Sequence, residues 1–188
     1  MLRRTTLFLV LLAITGAPAA AAPVLPTGTT PSALPGAATS PVALNVLGGN
    51  VVAELNRVRA ARGLSALRPT GPLAASARRH SAQMGARGFF DHNSADGTPF
   101  WRRIERFYGG RGFRSWEVGE NIFWQSPARI AATSVVRSWM ASSSHRANML
   151  SHSWRDVGVG AVSLPSAPGV YGGSPVTIVT VDFGKRRR

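Results

Sequence analysis

The stretch DVGVGAVSL at residues 156–164 decides the fold class, together with VTIVTVDF at residues 176–183. Both stretches are short and rich in Val and Ile, which is typical of β-strands. The Gly- and Pro-containing residues 165–174 between them predict the loop of an antiparallel hairpin. Helical patterns precede these strands, and that order favours an α+β fold or layered α/β/α packing over a doubly wound parallel sheet.

Four segments upstream of the strands have the periodicity and the end signals of helices. Pro72, Pro99 and Pro127 stand at the first turn of three of them, where a helix needs no N–H donor. Gly63 and Gly88 follow two of them, as is common where a helix ends. The predicted helices cover about residues 51–62, 72–87, 98–108 and 126–142.

The N-terminal 45 residues predict export and a linker. Arg3 and Arg4 precede the apolar residues 7–14, and small residues with several Ala-x-Ala sites follow. We therefore expect a signal peptide at 1–22, cleaved near residues 19–22. Residues 23–45, rich in Pro, Ala, Ser and Thr, predict a flexible linker. The folded domain is then expected at 46–185, with a basic tail at 186–188.

The composition indicates where the protein is located and which kinds of partner it could bind. The apolar run at residues 7–14 is too short to span a bilayer, so we expect a mature chain without a transmembrane helix that is secreted, extracellular or periplasmic. There is no Cys, so no disulfide can form, and the formal net charge is +14. This charge favours an anionic partner such as a cell-envelope component, but scattered arginines with a solvated tail are the alternative. No nucleic-acid-binding motif and no nucleotide-binding loop is present.

Three residues are candidates for chemistry. His92, Glu120 and His145 supply two imidazoles and one carboxylate, a minimal set for a divalent-cation site with open positions. Glu120 could equally act as a general base or as an acceptor that orients a histidine. The spacing of the three residues matches no local metal motif. Hydrogen bonds that tie loops to the sheet are therefore an equal alternative.

The remaining histidines and the aromatic residues suggest weaker candidates. His80 lies near the apolar stripe of the second helix, and we expect a structural hydrogen bond there. His152 lies between serines, and we expect it to be solvated. Trp116, Phe123 and Trp124 flank the Glu120 segment and predict either core packing or the wall of an apolar groove that could hold a lipid.

Several short motifs, taken in order over about residues 50–184, resemble the CAP superfamily (the SCP/PR-1 type) in its short bacterial form. Each motif alone is weakly specific, and the ordered set carries the resemblance. The motifs are Asn56-Arg57-Val58-Arg59, Leu73-Ala74, His80, Phe90-Asp91-His92, Gly119-Glu120-Asn121-Ile122, Trp139-Met140, His145-Arg146, Asn148-Met149-Leu150, Val157-Gly158-Val159-Gly160 and Val181-Asp182-Phe183-Gly184.

The resemblance implies a three-layer α-β-α sandwich with an antiparallel central sheet. It also implies a cleft lined by His92, Glu120 and His145, with Asn121 and Ser142 in support. Longer eukaryotic members carry a second glutamate where this chain has Ser142, so the cluster is incomplete and a water would have to replace one ligand of a zinc or other divalent cation.

The function that the resemblance implies is a secreted binding or interaction module. We expect it to be monomeric and non-enzymatic, with a cleft able to hold a divalent cation and an apolar groove for a lipid or sterol. The alternative is a metal-assisted hydrolase or protease that uses Glu120 as its base.

Overall fold

The structure is a computed structural model that describes residues 41–126 and 130–188. The predicted signal peptide and residues 23–40 of the predicted linker lie outside the described residues. The elements in chain order are α1 (Pro41–Ala60), β1 (Arg68–Pro69), α2 (Gly71–Arg87), α3 (Phe100–Glu105), β2 (Ser115–Gln125), α4 (Ala132–Ala141), α5 (Ser143–Met149), β3 (Asp156–Leu164), a 3-10 turn (Gly169–Tyr171) and β4 (Val176–Arg187).

The four strands form one mixed sheet in the order β1-β3-β4-β2. Strands β3 and β4 pair antiparallel from Asp156 opposite Gly184 to Leu164 opposite Val176, which confirms the predicted hairpin. Strand β2 pairs antiparallel with the other edge of β4. The α+β class is therefore confirmed. The expectation of a purely antiparallel sheet is wrong, because β1 pairs parallel with β3; helices separate these two strands in the chain, and such a crossover permits parallel pairing.

The Val-Gly alternation of β3 is explained by the helices on its two faces. Successive side chains of a strand point to opposite faces. A Cβ on Gly158 or Gly160 would lie 2.0 Å from a backbone nitrogen of α2, so only glycine permits this approach. Val157 and Val159 point the other way and belong to the apolar cluster that includes Val51 of α1. Helices therefore cover both faces of β3.

Several element ends differ from the prediction. Helix α1 begins at Pro41, ten residues before the predicted start, and includes the last residues of the predicted linker. The sequence Ser40-Pro41 has the proline signal of a helix start, but the prediction did not use it. Leu44 and Leu47 pack against the core cluster, and this tertiary contact lengthens the helix. At the other end, β4 continues to Arg187, so most of the predicted basic tail is paired strand.

The close packing of α2 on β3 gives a first prediction. Replacing Gly160 with Ala should lower the free energy of unfolding by about 3 kcal/mol or more, because the new methyl group would overlap the backbone at Arg78 and one element must shift. Urea unfolding followed by circular dichroism measures this change.

Gly49→Ala is the matched control. A Cβ on Gly49 would meet nothing within 4 Å, and the residue lies within α1, so this variant should be more stable by about 0.5–1 kcal/mol. Equal stability of the Gly160→Ala protein and the unmodified protein would contradict the packing described above.

Candidate functional site

A buried carboxylate lies at the middle of the edge strand β2. Glu120 of β2 is directly opposite Asp182 of β4, which is in turn opposite Gly158 of β3. Cross-strand partners share a face, so both acidic side chains lie on the face that α2 covers. The side chain of Glu120 is 0% exposed. A charge at this depth is stable only with partners.

Three basic side chains surround Glu120. The Arg103 guanidinium of α3 donates from Nη2 to Oε2. His92 Nδ1 lies 2.8 Å from Oε1, and His80 Nε2 of α2 lies 4.0 Å from the same oxygen. Arg103 also donates to His92 O at 2.9 Å, so one guanidinium holds both the carboxylate and the loop that carries His92. Both carboxylate oxygens are therefore engaged.

These contacts fix the charge of Glu120. Burial alone would raise its pKa, but the Arg103 charge, the hydrogen bond from His92 and the neighbouring His80 outweigh burial and hold the pKa well below its usual range. Glu120 is therefore an anion with saturated oxygens. Such a group orients its neighbours and is poorly suited to accept a proton from a substrate.

Asp182 is in the opposite situation. Burial raises its pKa well above the usual value, and the negative charge of Glu120 raises it further. Both effects favour the protonated, neutral carboxyl, because two like charges side by side in the interior would repel. Asp182 can thus remain next to Glu120 without a second buried negative charge.

His145 reaches the site through Asn121. Asn121 Nδ2 donates to His145 O at 3.2 Å, and Asn148 Nδ2 donates to Asn121 Oδ1 at 2.9 Å and to Glu120 O at 3.0 Å. These bonds tie α5 to β2. Burial, and next the charge of His92, lower the pKa of His145 to about 4, so its imidazole is neutral at pH 7.

Three buried imidazole nitrogens have no partner in the part of the chain that the structure describes: Nδ1 of His80, Nε2 of His92 and Nε2 of His145. The last two belong to the predicted triad. Because the Glu120 carboxylate can only accept a hydrogen bond, His92 carries a proton on Nδ1. The site therefore offers one imidazole nitrogen without a protein partner on each of His92 and His145.

The predicted triad is only partly a cluster. His92 contacts Glu120 directly, whereas His145 is linked to Glu120 through Asn121 and Asn148. Ser142 Oγ lies 3.2 Å from Ser144 Oγ, and no described contact joins it to Glu120. Within residues 41–126 and 130–188, no group of three or more His, Cys, Asp or Glu is arranged to hold a metal ion. Both oxygens of Glu120 already accept hydrogen bonds, so this carboxylate does not fit the role of a metal ligand. The imidazole nitrogens without a partner on His92 and His145 do fit that role.

Comparison with known proteins then decides the family. Residues 52–183 match the pattern of the family described as CAP, the cysteine-rich secretory protein family. The chain belongs to the CAP family. A curated relative, the uncharacterized protein YkwD of Bacillus subtilis (strain 168), is 33% identical over 129 residues, which are 68% of this chain and 47% of that protein. The CAP chain thus spans about half the length of this relative.

Two solved structures resemble this CAP domain. One is an extracellular protein containing an SCP domain from Bacillus anthracis str. Ames, with a TM-score of 0.59 and 25% identity, covering 79% of this chain and 44% of that one. The other is an outer surface protein from Borrelia burgdorferi, with a TM-score of 0.58 and 20% identity, covering 73% of this chain and 90% of that one. The second likeness concerns the fold alone.

Sequence reasoning missed two residues of the CAP site. Arg103 was not singled out, although it lies at helical spacing from Phe100 next to the buried Ile104, and a cation on an apolar helix face signals a buried ion pair. Asp182 was quoted only as part of a motif. An acidic residue in the middle of an otherwise apolar strand is the signal that could have identified it.

The other two histidines of the CAP domain behave as predicted. His80 is fully buried and lies 2.8 Å from Asp91 O through Nε2, which confirms the structural hydrogen bond. Its nearness to Glu120 was not foreseen. His152 is exposed.

The three aromatic residues near Glu120 do not line one groove. Trp116, Phe123 and Trp124 pack against three different apolar clusters. A groove of about 350 Å³ lies elsewhere, between α1 and the start of α2 along the edge of β3. Its apolar lining includes Leu44, Val52, Ala74, Val159 and Ala161. None of the described helices is long and apolar enough to cross a membrane.

The buried His80 gives a prediction for pH. Burial lowers its pKa from 6.5 to about 4, so between these values the unfolded chain binds a proton that the folded chain does not. The free energy of unfolding therefore falls as the pH is lowered through this window, by roughly 3 kcal/mol at pH 4 from this residue. His80→Gln keeps an N–H donor for Asp91 O, removes the titration and should flatten the curve by that amount.

Urea midpoints measured at intervals from pH 7 to pH 4 test this. The exposed His152 is the control, and His152→Gln should leave the pH dependence unchanged. The same pH dependence in the His80→Gln protein and the unmodified protein would show that His80 is not a buried neutral imidazole.

Proposed function

We propose that the chain is a secreted, monomeric, non-enzymatic binding module whose cleft binds its ligand through the imidazoles of His92 and His145. The observation that carries this is the state of Glu120, which is fully buried with both oxygens engaged by Arg103 and His92. The Nε2 atoms of His92 and His145 are buried, but they have no protein partner, so they are the atoms of the predicted triad that a ligand would engage. The predicted signal peptide and the similar extracellular protein with an SCP domain support secretion.

A divalent cation is the ligand that the imidazoles of His92 and His145 suit best. Histidines that bind zinc commonly donate their second ring N–H to a carboxylate, which fixes the tautomer and orients the ring. Glu120 accepts such a bond from His92 at 2.8 Å. His92 and His145 would hold the ion, and Glu120 would stand behind His92 without touching it. A bound ion would supply a Lewis-acidic centre with positions open to water or to a donor group of a partner.

The contacts of Glu120 argue against the hydrolase alternative. A general base must reach the proton that it removes, and it needs a pKa near the working pH. Glu120 is 0% exposed and its pKa is held well below the usual range. The geometry therefore favours binding over acid–base catalysis at this carboxylate.

The groove between α1 and α2 supports a second ligand class. Its volume of about 350 Å³ and its largely apolar lining suit a small lipid or sterol fragment. We place the lipid or sterol that the family resemblance implies in this groove, since the aromatic residues near Glu120 form no common wall. We also propose that the helices on both faces of β3 complete the three-layer arrangement that the resemblance implies.

Calorimetric titration of the exported protein with zinc tests the cleft proposal. The unmodified protein should bind one ion, and the variant with His92→Ala and His145→Ala should bind at least about tenfold more weakly, because both nitrogen donors are lost. His152→Ala, at the exposed histidine, should bind as the unmodified protein does.

Two outcomes contradict the cleft proposal. One is equal zinc affinity in the unmodified protein and the double variant. The other is the absence of zinc binding in a protein whose circular dichroism shows that it is folded.

A further inference from the structure

One end of the sheet carries a group of cations that the cleft does not use. We call it the basic end. It comprises residues 105–117, from the last residue of α3 into β2, and residues 185–188, which are the end of β4 and the residue after it. Its only carboxylate side chains are Glu105 and Glu117. Its cations are Arg106, Arg111, Arg114, Lys185, Arg186, Arg187 and Arg188.

Strand pairing holds these cations together. Arg114 N donates to Arg187 O at 2.8 Å, and Ser115 lies opposite Arg187 in the β2–β4 register. The C-terminal arginines therefore project from a paired strand at a fixed distance from the loop before β2. A solvated tail would not fix this spacing.

Aromatic rings fix the central cation. The Arg186 guanidinium carbon lies 3.9 Å from the centre of the Tyr108 ring and 4.8 Å from that of Phe113. Rings so placed attract a cation without neutralising it. The positive charge is thus held at the surface in one position.

Little negative charge compensates the basic end. Lys185 pairs with Glu117 at 3.0 Å. Arg111, Arg114 and Arg187 are exposed, and none of them pairs with a carboxylate of the described residues. By contrast, the charge of the buried Arg103 is neutralised by its partner Glu120. The charge at this end is available to an external anion.

An exposed aromatic residue adjoins these cations. Phe107 directly follows Arg106 and precedes Tyr108, and 36% of its surface is exposed. Arginines beside an exposed aromatic ring are the pattern of proteins that lie on a bilayer surface, where the ring enters the interface and the cations contact phosphate groups. A soluble polyphosphate would use the charge but would gain nothing from Phe107.

We propose that the basic end binds the surface of a bilayer that contains anionic phospholipid. The exposed arginines contact the phosphate headgroups, and Phe107 lies at the interface. This role is independent of His92 and His145. It makes the CAP domain a peripheral module that lies on a membrane through one end of its sheet.

Cosedimentation of the exported protein with vesicles tests the proposal. Vesicles of phosphatidylcholine with about one third phosphatidylglycerol should bind the protein, and vesicles of phosphatidylcholine alone should not. The variant with Arg111→Gln, Arg114→Gln and Arg187→Gln should bind about 100-fold more weakly, since each cation near an anionic surface contributes a similar electrostatic attraction. Salt at about 0.5 M should abolish binding.

A control variant has the same net charge. Arg79, Arg87 and Arg137 are exposed on α2 and α4, outside the basic end. Their triple replacement by Gln should weaken vesicle binding only a few-fold. Phe107→Ser should lower binding without a change of charge, and the variant with His92→Ala and His145→Ala should bind vesicles as the unmodified protein does, which separates this surface from the cleft.

Three outcomes would overturn the proposal. The first is an equal loss in the two triple variants, which would mean that only total charge matters. The second is no preference for anionic vesicles. The third is tight binding to soluble polyphosphate with none to vesicles, which would make the partner a polymer.

Discussion

The buried ion pair between Arg103 and Glu120 is the interaction on which the rest of the site depends. Glu120 lies in the middle of β2 and its side chain is fully buried, so its charge has no access to water. Arg103 supplies the compensating charge from α3 and also holds the backbone of His92. An uncompensated charge at this depth would cost several kcal/mol, so the loop, the short helix and the sheet are held in one arrangement.

This pair also determines what the site can do. With Arg103 on one oxygen and His92 on the other, Glu120 orients the His92 ring through Nδ1, and Nε2 is the nitrogen left without a protein partner. The same negative charge favours a neutral Asp182 opposite. A carboxylate that looks like a catalytic base in the sequence is therefore a structural anion, and the chemistry passes to the imidazoles of His92 and His145.

The sequence predicted the parts of this CAP domain that follow from local patterns. The β3–β4 hairpin and the start of α2 beside Pro72 were expected from strand composition and proline position, and the ordered motifs implied that His92 and Glu120 share a site. The helix predicted from residue 126 begins instead at Ala132, and the helix predicted from residue 98 begins at Phe100. The parallel strand β1 was missed because a strand of two residues is too short to show an alternation of apolar and polar side chains. Arg103 and Asp182 were missed because their roles arise from pairing between elements that are distant in sequence. The arginines at the end of β4 were predicted to form a tail, because the sequence does not show that Ser115 pairs with Arg187.

A double-mutant cycle on Arg103 and Glu120 tests the central claim most directly, with the free energy of unfolding as the measured quantity. Arg103→Met leaves Glu120 as a buried anion without its guanidinium partner, and Glu120→Gln leaves Arg103 as a buried cation without its carboxylate partner, so each should cost about 3–5 kcal/mol. The double variant buries neither charge and should be more stable than the sum of the single losses predicts, by about 2 kcal/mol or more. Losses that add to within about 0.5 kcal/mol would contradict the account, because they would mean that the two side chains do not depend on each other.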